Sequence, residues 1–149
     1  MFTSIVVGTD GSESADKALD EAIAIAQANG ATLHVVTAFE PETLRRMERE
    51  NEAEAIAAGM DWAYNARDEI TARVTHAEEL AKNAGVNVTP HTREGSAAKV
   101  LIDIATELNA DLIVVGNKGM SGLKHFVLSV VPDKVSHNAP CSVLIVQTT

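Results

Sequence analysis

Three glycines recur at every third position in the segment GNKGMSG, which runs from Gly116 to Gly122. Glycine adopts positive φ at little cost and lets backbone N–H groups approach a ligand closely. The apolar run Leu112–Val115 precedes the segment, and its branched residues predict a strand buried on both faces. Open α/β sheets bind phosphorylated ligands at glycine-rich loops that follow buried parallel strands. The spacing indicates either a phosphate-binding loop or a tight strand-to-helix turn that needs glycine for its geometry alone.

Several catalytic and metal-binding patterns are missing from the sequence. The loop is neither G-x-G-x-x-G nor G-x-x-x-x-G-K-[ST], so the Rossmann and Walker A motifs do not apply. The chain has no G-x-S-x-G segment, no H-x-x-x-H pair and no cluster of cysteine with histidine. Adjacent carboxylates such as Glu78 and Glu79 fall on exposed helix faces, which predicts solvated charge. The sequence therefore predicts neither an enzyme nor a metal-binding protein.

A carboxylate follows the first predicted strand. The β-branched run Ile5–Val7 predicts a buried strand, and the turn sequence GTDGS comes directly after it. Asp10 and Glu13 have the spacing of a capping box, which predicts Asp10 as the N-cap of a helix. Asp10 also lies at the C-terminal end of that strand, where doubly wound sheets bind their ligands. It is therefore predicted either to cap the helix alone or to accept hydrogen bonds from a ribose or an adenine.

Strand and helix patterns alternate along the chain. The predicted strands are residues 5–7, 32–38, 86–92, 112–115 and 142–146, and helical apolar periodicity covers 15–26, 61–84, 97–108 and 132–137. A strand, a helix and a strand in succession form a unit with parallel strands and a right-handed crossover. Pro90 cannot donate to a ladder, so the third strand is predicted at an edge with His91 exposed. The pattern predicts one α/β domain over residues 1–149, with Leu108 in its core.

Residues 41–60 match the alternating pattern least well. Pro41 follows a strand, and the run from Glu42 to Glu54 mixes charges of both signs, which predicts a solvated helix or an insertion. A lid over a neighbouring site is the alternative, although nothing in the composition favours it. Trp62 and Tyr64, just beyond, are expected to cover this insertion rather than to stack on a ligand.

The composition limits the partners of the protein. A net charge of −9 argues against the basic surface that nucleic-acid binding requires. Cys141 is the only cysteine, so no internal disulfide forms, and a packed thiol is its expected role. The first residues lack the basic segment of a signal peptide, and no apolar run approaches the roughly 18 residues of a membrane span. We therefore expect a cytoplasmic protein that binds neither nucleic acid nor membrane.

Three segments together resemble the motifs of a universal stress protein domain. They are IVVGTDGS (residues 5–12), VVGNKGMSGLK (114–124) and KVSHNAPCSVLIV (134–146), and they occur in the family's order. The resemblance implies an α/β, three-layer, doubly wound sandwich with a five-stranded parallel sheet, similar to the adenine-nucleotide alpha-hydrolase fold. It also implies a homodimer formed through the last strand, Ser142–Val146, and a site for an adenine nucleotide such as ATP, AMP or cyclic AMP. Mg²⁺ is implied only as a companion of the nucleotide.

ATP-binding members of that family carry the pattern G-x2-G-x9-G-[ST], which this chain matches in part. Gly116 and Gly119 take the first two positions, whereas Ser129 and Val130 stand where glycine and a hydroxyl residue are implied. By the same resemblance Asp10 contacts the adenine or the ribose, and the second strand contacts the ligand through its backbone. The site residues implied in this way are Thr9, Asp10, Val36, Ala38, Gly116, Lys118, Gly119, Ser129, Val130 and Val131.

The two departures from the pattern weaken the phosphate end of the implied site. A non-glycine residue at positive φ costs about 1–2 kcal/mol, and a lost hydroxyl donor to a phosphate costs about 1.5–3 kcal/mol. Together they predict binding that is about a hundred- to several-thousand-fold weaker. We therefore expect a dimeric stress-response protein that binds adenine nucleotides more weakly than relatives with the full pattern. An interaction dimer without nucleotide is the alternative, and an ATP-hydrolysing enzyme is less favoured because no general base or metal-binding carboxylate pair accompanies the loop.

Overall fold

The computed structural model describes residues 1–57, 59, 66–117 and 130–148. The elements within these ranges follow in the order β1 (Ser4–Gly8), α1 (Glu13–Asn29), β2 (Thr32–Phe39), α2 (Pro41–Ala57), α3 (Ala66–Asn83), β3 (Asn87–Glu94), α4 (Ala97–Glu107), β4 (Leu112–Gly116), α5 (Val130–Asn138) and β5 (Ser142–Val146). Among the helices described, none combines the length and the apolar character needed to cross a membrane.

The five strands form one parallel sheet in the spatial order β3-β2-β1-β4-β5. The chain adds β2 and β3 on one side of β1, then crosses back and adds β4 and β5 on the other side. The direction of strand addition therefore reverses between β1 and β4. The predicted five-stranded parallel sheet with helices is confirmed, and the prediction of an edge position for the third strand is confirmed as well.

Alternate residues of the central strands pack into two separate cores. Ile5 and Val7 of β1 point to the side covered by α1 and α3. Val6 of β1 points to the opposite side, which α4 and α5 cover. All three side chains are fully buried, and each such burial contributes about 1.5–3 kcal/mol. The central strand β1 is thus packed on both faces, and the loop that follows Gly8 projects from a rigid element.

The carboxylate of Asp111 joins β1 to the start of β4 at the amino edge of the sheet. It accepts hydrogen bonds from Thr3 N at 2.9 Å, from Thr3 Oγ1 at 3.0 Å and from Ser4 N at 3.2 Å. In return the Asp111 N–H donates to the Ser4 carbonyl oxygen at 2.9 Å. Burial acts to raise the pKa of Asp111, but the bonds donated by Thr3 and Ser4 outweigh it and lower the pKa. At this edge the acceptors of Asp111 are thus used by the protein itself.

Residues 41–57 form a regular helix, in agreement with the predicted solvated helix. Only two positions of α2 are buried, Leu44 and Ala55, while most of its charged side chains are exposed. Leu44 packs with Ala66 and Ile70 of α3, next to Phe39 at the end of β2. The helix is therefore attached through a small apolar cluster near the carboxyl edge of the sheet.

Some element boundaries differ from the sequence-based expectations. β3 extends to Glu94, beyond the predicted end at residue 92, because its ladder with β2 continues to that residue. The prediction that Leu108 is buried is wrong: it is 36% exposed, because it is the C-terminal cap of α4 and lies beyond the last helical residue, Glu107. The predicted helix start at residue 61, with Trp62 and Tyr64, lies outside the described residues.

Candidate functional site

The carboxyl edge of the sheet opens between β1 and β4. The last registered pair between these strands is Val7 with Val114, after which β4 continues to Gly116 and the chain after β1 turns toward α1. This is also where the strand order reverses, and open parallel sheets bind their ligands at such a position. The strand ends at Gly8 and Gly116, although distant in sequence, therefore flank one crevice.

Thr9 fixes the loop after β1 to the neighbouring strand. Its N–H donates to the Val36 carbonyl oxygen at 2.8 Å, and its own carbonyl oxygen accepts from Thr37 Oγ1 at 3.1 Å. Thr9 and Thr37 are both buried. Thr9 and Val36, two of the predicted site residues, are thus hydrogen-bonded to each other. This contact determines where the next residue, Asp10, leaves the sheet.

Asp10 lies in the turn but does not cap the helix, so that part of the prediction is wrong. Its Oδ1 accepts from Ser12 N at 2.9 Å, while Ser12 is the N-cap and accepts from Ala15 N at 3.1 Å. The cap is displaced because Gly11, at a φ of 79°, inserts a left-handed residue between Asp10 and the helix. A carboxylate has about four acceptor positions, so Asp10 keeps acceptor capacity beside the crevice.

The last residues of β2 extend beyond the end of β1. Some of their backbone groups therefore face the side where β1 no longer runs. The register between β1 and β2 ends at Gly8 and Val36, whereas β2 continues to Phe39. Successive residues of a strand direct their backbone groups to opposite sides. Because the Val36 carbonyl oxygen faces β1 and the Phe39 carbonyl oxygen accepts from Gly95 beyond β3, the N–H and C=O of Ala38 face the β1 side. The structure thus brings Ala38 toward the crevice that Asp10 flanks.

At β4, the described part of the glycine segment consists of Gly116 and Asn117. Gly116 lies opposite Val146 of β5, and the Asn117 N–H donates to the Val146 carbonyl oxygen at 3.0 Å. Lys118, Gly119 and Ser129, which the resemblance assigns to the phosphate end, lie outside the described residues. The chain is described again from Val130.

The helix α5 begins at the same edge of the sheet, because it runs antiparallel to the strand β5 that follows it. Pro132 occupies its first turn, where the missing N–H of proline costs no helical hydrogen bond. Val130 is 39% exposed and Val131 packs partly against the core on the α4 side. Backbone N–H groups at a helix N-terminus favour an anion, but the Val130 side chain offers no donor of its own.

Arg73 packs beside the Asp10 turn, and the sequence analysis did not single it out. A Cβ at Gly11 would lie 3.1 Å from Arg73 Cδ and 3.2 Å from its Nε, so the side chain crosses directly over this glycine. Arg73 Nη2 donates to Glu69 Oε1 at 3.0 Å on the same helix, α3. No local signal identifies this cation, since only the packing of α3 against the β1–α1 turn places it there.

His91 is not an exposed histidine. The prediction of its exposure, which followed from placing Pro90 on an edge strand, is wrong. It is half-buried, and its Nε2 lies 3.0 Å from Nδ1 of His34. Burial lowers the pKa of both rings; proximity to the partner ring lowers that of His34 further, and proximity to Arg93 lowers that of His91 further. A neutral pair shares one N–H···N hydrogen bond. The contact depends on the register of β2 with β3, which residue types alone do not specify.

The remaining titratable candidates add no further cluster. The Cys141 thiol packs partly against the core between the sheet and α4, and burial raises its pKa. Within the ranges that the structure describes, no three His, Cys, Asp or Glu side chains are grouped so that they could hold a metal ion. The crevice flanked by Asp10, Ala38, Gly116 and Val130 is therefore the candidate site.

The sequence model of the Universal stress protein family matches residues 1–147 of this chain. The chain belongs to the universal stress protein family. A similar curated member is universal stress protein Rv1636 of Mycobacterium tuberculosis, which is 36% identical over 149 residues that cover 99% of this chain and 98% of that protein. A putative universal stress protein of Staphylococcus saprophyticus is 30% identical over 149 residues, covering 99% of this chain and 84% of the relative.

Solved structures of universal stress proteins share the fold. One was crystallised in complex with cAMP; it is 32% identical, has a TM-score of 0.74 and covers 99% of this chain and 98% of its own. UspA from Lactobacillus plantarum, at 22% identity and a TM-score of 0.68 with 98% of both chains covered, shows the likeness of the fold alone. The family and the nucleotide alpha-hydrolase-like architecture that the sequence motifs implied are both confirmed.

Proposed function

We propose that this universal stress protein binds an adenine nucleotide in the crevice at the carboxyl edge of β1, β2 and β4. In this proposal the bound nucleotide changes how a homodimer engages partner proteins in the cytoplasm. No catalytic step is assigned to it. Mg²⁺ enters only together with a nucleotide that carries several phosphates.

The observation that carries the proposal is the gap beside β2 where β1 ends. The N–H and C=O of Ala38 face this gap and present one donor and one acceptor side by side. An adenine edge offers the complementary pair, an exocyclic amine that donates and a ring nitrogen that accepts. Asp10 lies at the adjoining turn, where a carboxylate is suited to accept hydrogen bonds from ribose hydroxyls. The crystal complex of a similar universal stress protein with cAMP supports the same ligand class.

The phosphate end favours a ligand with few phosphates. In the proposed pose one phosphate meets backbone N–H groups near Gly116 and at the start of α5, where the helix dipole is positive. Val130 has an apolar side chain at the position where the ATP-binding pattern of the family places a hydroxyl donor. A net charge of −9 further disfavours a highly charged ligand without Mg²⁺. We therefore expect AMP or cyclic AMP to bind in preference to ATP.

The edge strand β5 is the proposed homodimer surface. In the described sheet β5 pairs with β4 on one side, so its other side presents unpaired backbone groups. Ile145 is 44% exposed on this strand. A second copy placed against Ser142–Val146 would cover both features through a self-complementary interface.

Calorimetric titration with adenosine, AMP, cyclic AMP and ATP, the last with and without Mg²⁺, tests the proposal. We expect cyclic AMP and AMP to bind more tightly than ATP, and adenosine to retain part of the affinity. Tight binding of ATP would mean that the backbone N–H groups alone suffice for three phosphates. If none of the four ligands binds, the nucleotide-binding function is wrong.

The exposed edge of β5 also favours a second candidate, an interaction dimer that needs no nucleotide. Sedimentation at several protein concentrations, with and without cyclic AMP, separates the two. If cyclic AMP changes neither the dimer dissociation constant nor partner binding, the second candidate is favoured.

A further inference from the structure

Thr148 lies two residues beyond β5 and is only 7% exposed, although it belongs to no strand or helix. Its N–H donates to Asn117 Oδ1 at 3.0 Å, and its Oγ1 lies 2.6 Å from the same oxygen. Ser14 Oγ lies 2.7 Å from Thr148 Oγ1, and Lys17 Nζ donates to the Thr148 carbonyl oxygen at 3.1 Å. The first turn of α1, the end of β4 and the post-β5 segment (residues 147 and 148) thus meet at one residue.

The direction of these hydrogen bonds follows from the groups involved. A backbone N–H only donates, so the Asn117 side-chain atom that faces Thr148 N is its oxygen. That oxygen only accepts, so the Thr148 hydroxyl gives its single hydrogen to Asn117 and accepts from Ser14. The result is a continuous chain of donors from Ser14 through Thr148 to Asn117, in which each bond strengthens the next.

Asn117 is the second residue of the glycine segment and directly follows the last residue of β4, Gly116. Its backbone N–H is held by Val146, and its side chain is held by Thr148. The Asn117 backbone is therefore bound to residue 146, and the Asn117 side chain is bound to residue 148. This double attachment fixes Asn117 against the end of β5.

We propose that Thr148 is a positioning residue of the nucleotide site, which acts through Asn117 to hold the end of β4 in place at the phosphate end. The inference rests on the proposed function. Thr148 contacts no ligand itself, and its influence is on the phosphate end. The adenine end depends on other hydrogen bonds, those that Thr9 makes with Val36 and Thr37. Loss of the Thr148 hydroxyl should therefore weaken ligands that carry a phosphate and spare those that do not.

Titration of the full chain with cyclic AMP and with adenosine tests this selectivity. Thr148→Val keeps the shape and the N–H but removes the hydroxyl, whereas Thr148→Ser keeps the hydroxyl. The matched control is Thr106→Val, since the Thr106 hydroxyl donates to Ile102 within α4 at 2.8 Å. We expect Thr148→Val to weaken cyclic AMP binding about 5- to 10-fold without changing adenosine binding, and Thr148→Ser and Thr106→Val to bind like the parent.

Amide hydrogen exchange of the unliganded protein provides a readout that needs no nucleotide. We expect Thr148→Val to accelerate exchange at Asn117 and to leave β2 unchanged, and Thr106→Val to have no effect at Asn117. Unchanged exchange at Asn117, or equal losses for adenosine and cyclic AMP, would overturn the positioning role. If the parent protein binds no adenine ligand, the proposed function is wrong, and the exchange at Asn117 alone decides whether Thr148 positions Asn117.

Discussion

Asp10 and Asp111 lie at opposite edges of the sheet, each next to β1, and the protein uses their carboxylates differently. Asp111 accepts three hydrogen bonds, two from Thr3 and one from Ser4, and it connects two strands. Asp10 accepts one from Ser12, within its own turn, as far as the described residues show. The same residue type thus has its acceptors occupied at one edge and largely available at the other.

The difference follows from the topology of the sheet. At the amino edge β1 and β4 start side by side, so a carboxylate there can join them. At the carboxyl edge the register of β1 with β4 ends at Val7 and Val114, and Asp10 lies in the turn that follows β1. The comparison indicates that Asp111 stabilises the fold and that Asp10 is available to a ligand.

The largest expected effect comes from completing the family pattern at the carboxyl edge. The double substitution Ser129→Gly with Val130→Ser should tighten ATP binding by about a hundred- to several-thousand-fold, because it supplies a flexible backbone position and a hydroxyl donor to the phosphate. Titration with ATP and Mg²⁺ measures the change. Unaltered affinity for ATP would show that these residues do not hold the phosphates.

Removing the charge of Asp10 should affect ligand binding and leave stability nearly unchanged. Asp10→Asn is expected to weaken adenosine and cyclic AMP about 10- to 100-fold, since a hydrogen bond to a charged acceptor is lost from both complexes. Asp20→Asn, at an exposed position of α1, is the matched control. A large loss of stability in Asp10→Asn with normal binding would reverse the assignment of the two aspartates.

Asp111→Asn should have the opposite profile. We expect the free energy of unfolding to fall by about 1 kcal/mol, because partly exposed hydrogen bonds to a carboxylate are weakened, while cyclic AMP binding stays unchanged. The pKa of Asp111 is lowered in the folded state, so its contribution is present above the ordinary pKa of 3.8 and is lost as the pH falls. Urea titrations at neutral and acidic pH, with Asp20→Asn alongside, measure this; a deficit that persists unchanged in acid would contradict it.

The histidine pair should give the smallest effect, in a separate pH range. The pKa values of His34 and His91 lie below the ordinary 6.5, so the unfolded chain binds more protons, and stability decreases as the pH falls through 6.5. His91→Gln should make stability less dependent on pH in that range, whereas His76→Gln, at an exposed position of α3, should not. Identical pH profiles for His91→Gln and the parent would show that the pair does not titrate as the contact implies.

Local sequence signals predicted most of the elements correctly. β-branched runs predicted β1 and β4, and Gly30 ends α1 in the left-handed conformation that glycine favours, with a φ of 65°. These features depend on neighbouring residues, so periodicity and glycine placement suffice to find them. The cap of α1 was predicted wrongly because Asp10 and Ser12 both suit an N-cap, and only the φ of Gly11 selects Ser12.

The sequence by itself determined the family, the alternation of strands and helices, and the positions of Asp10 and Gly116 at strand ends. Only the tertiary structure decided which distant residues meet: Arg73 beside Gly11, His34 with His91, and Thr148 with Asn117 and Ser14. The physical reason is that strand order, register and helix packing arise from the summed burial of many side chains. The type of a single residue does not indicate which distant residue it will contact. These three contacts can therefore be identified only in the folded chain.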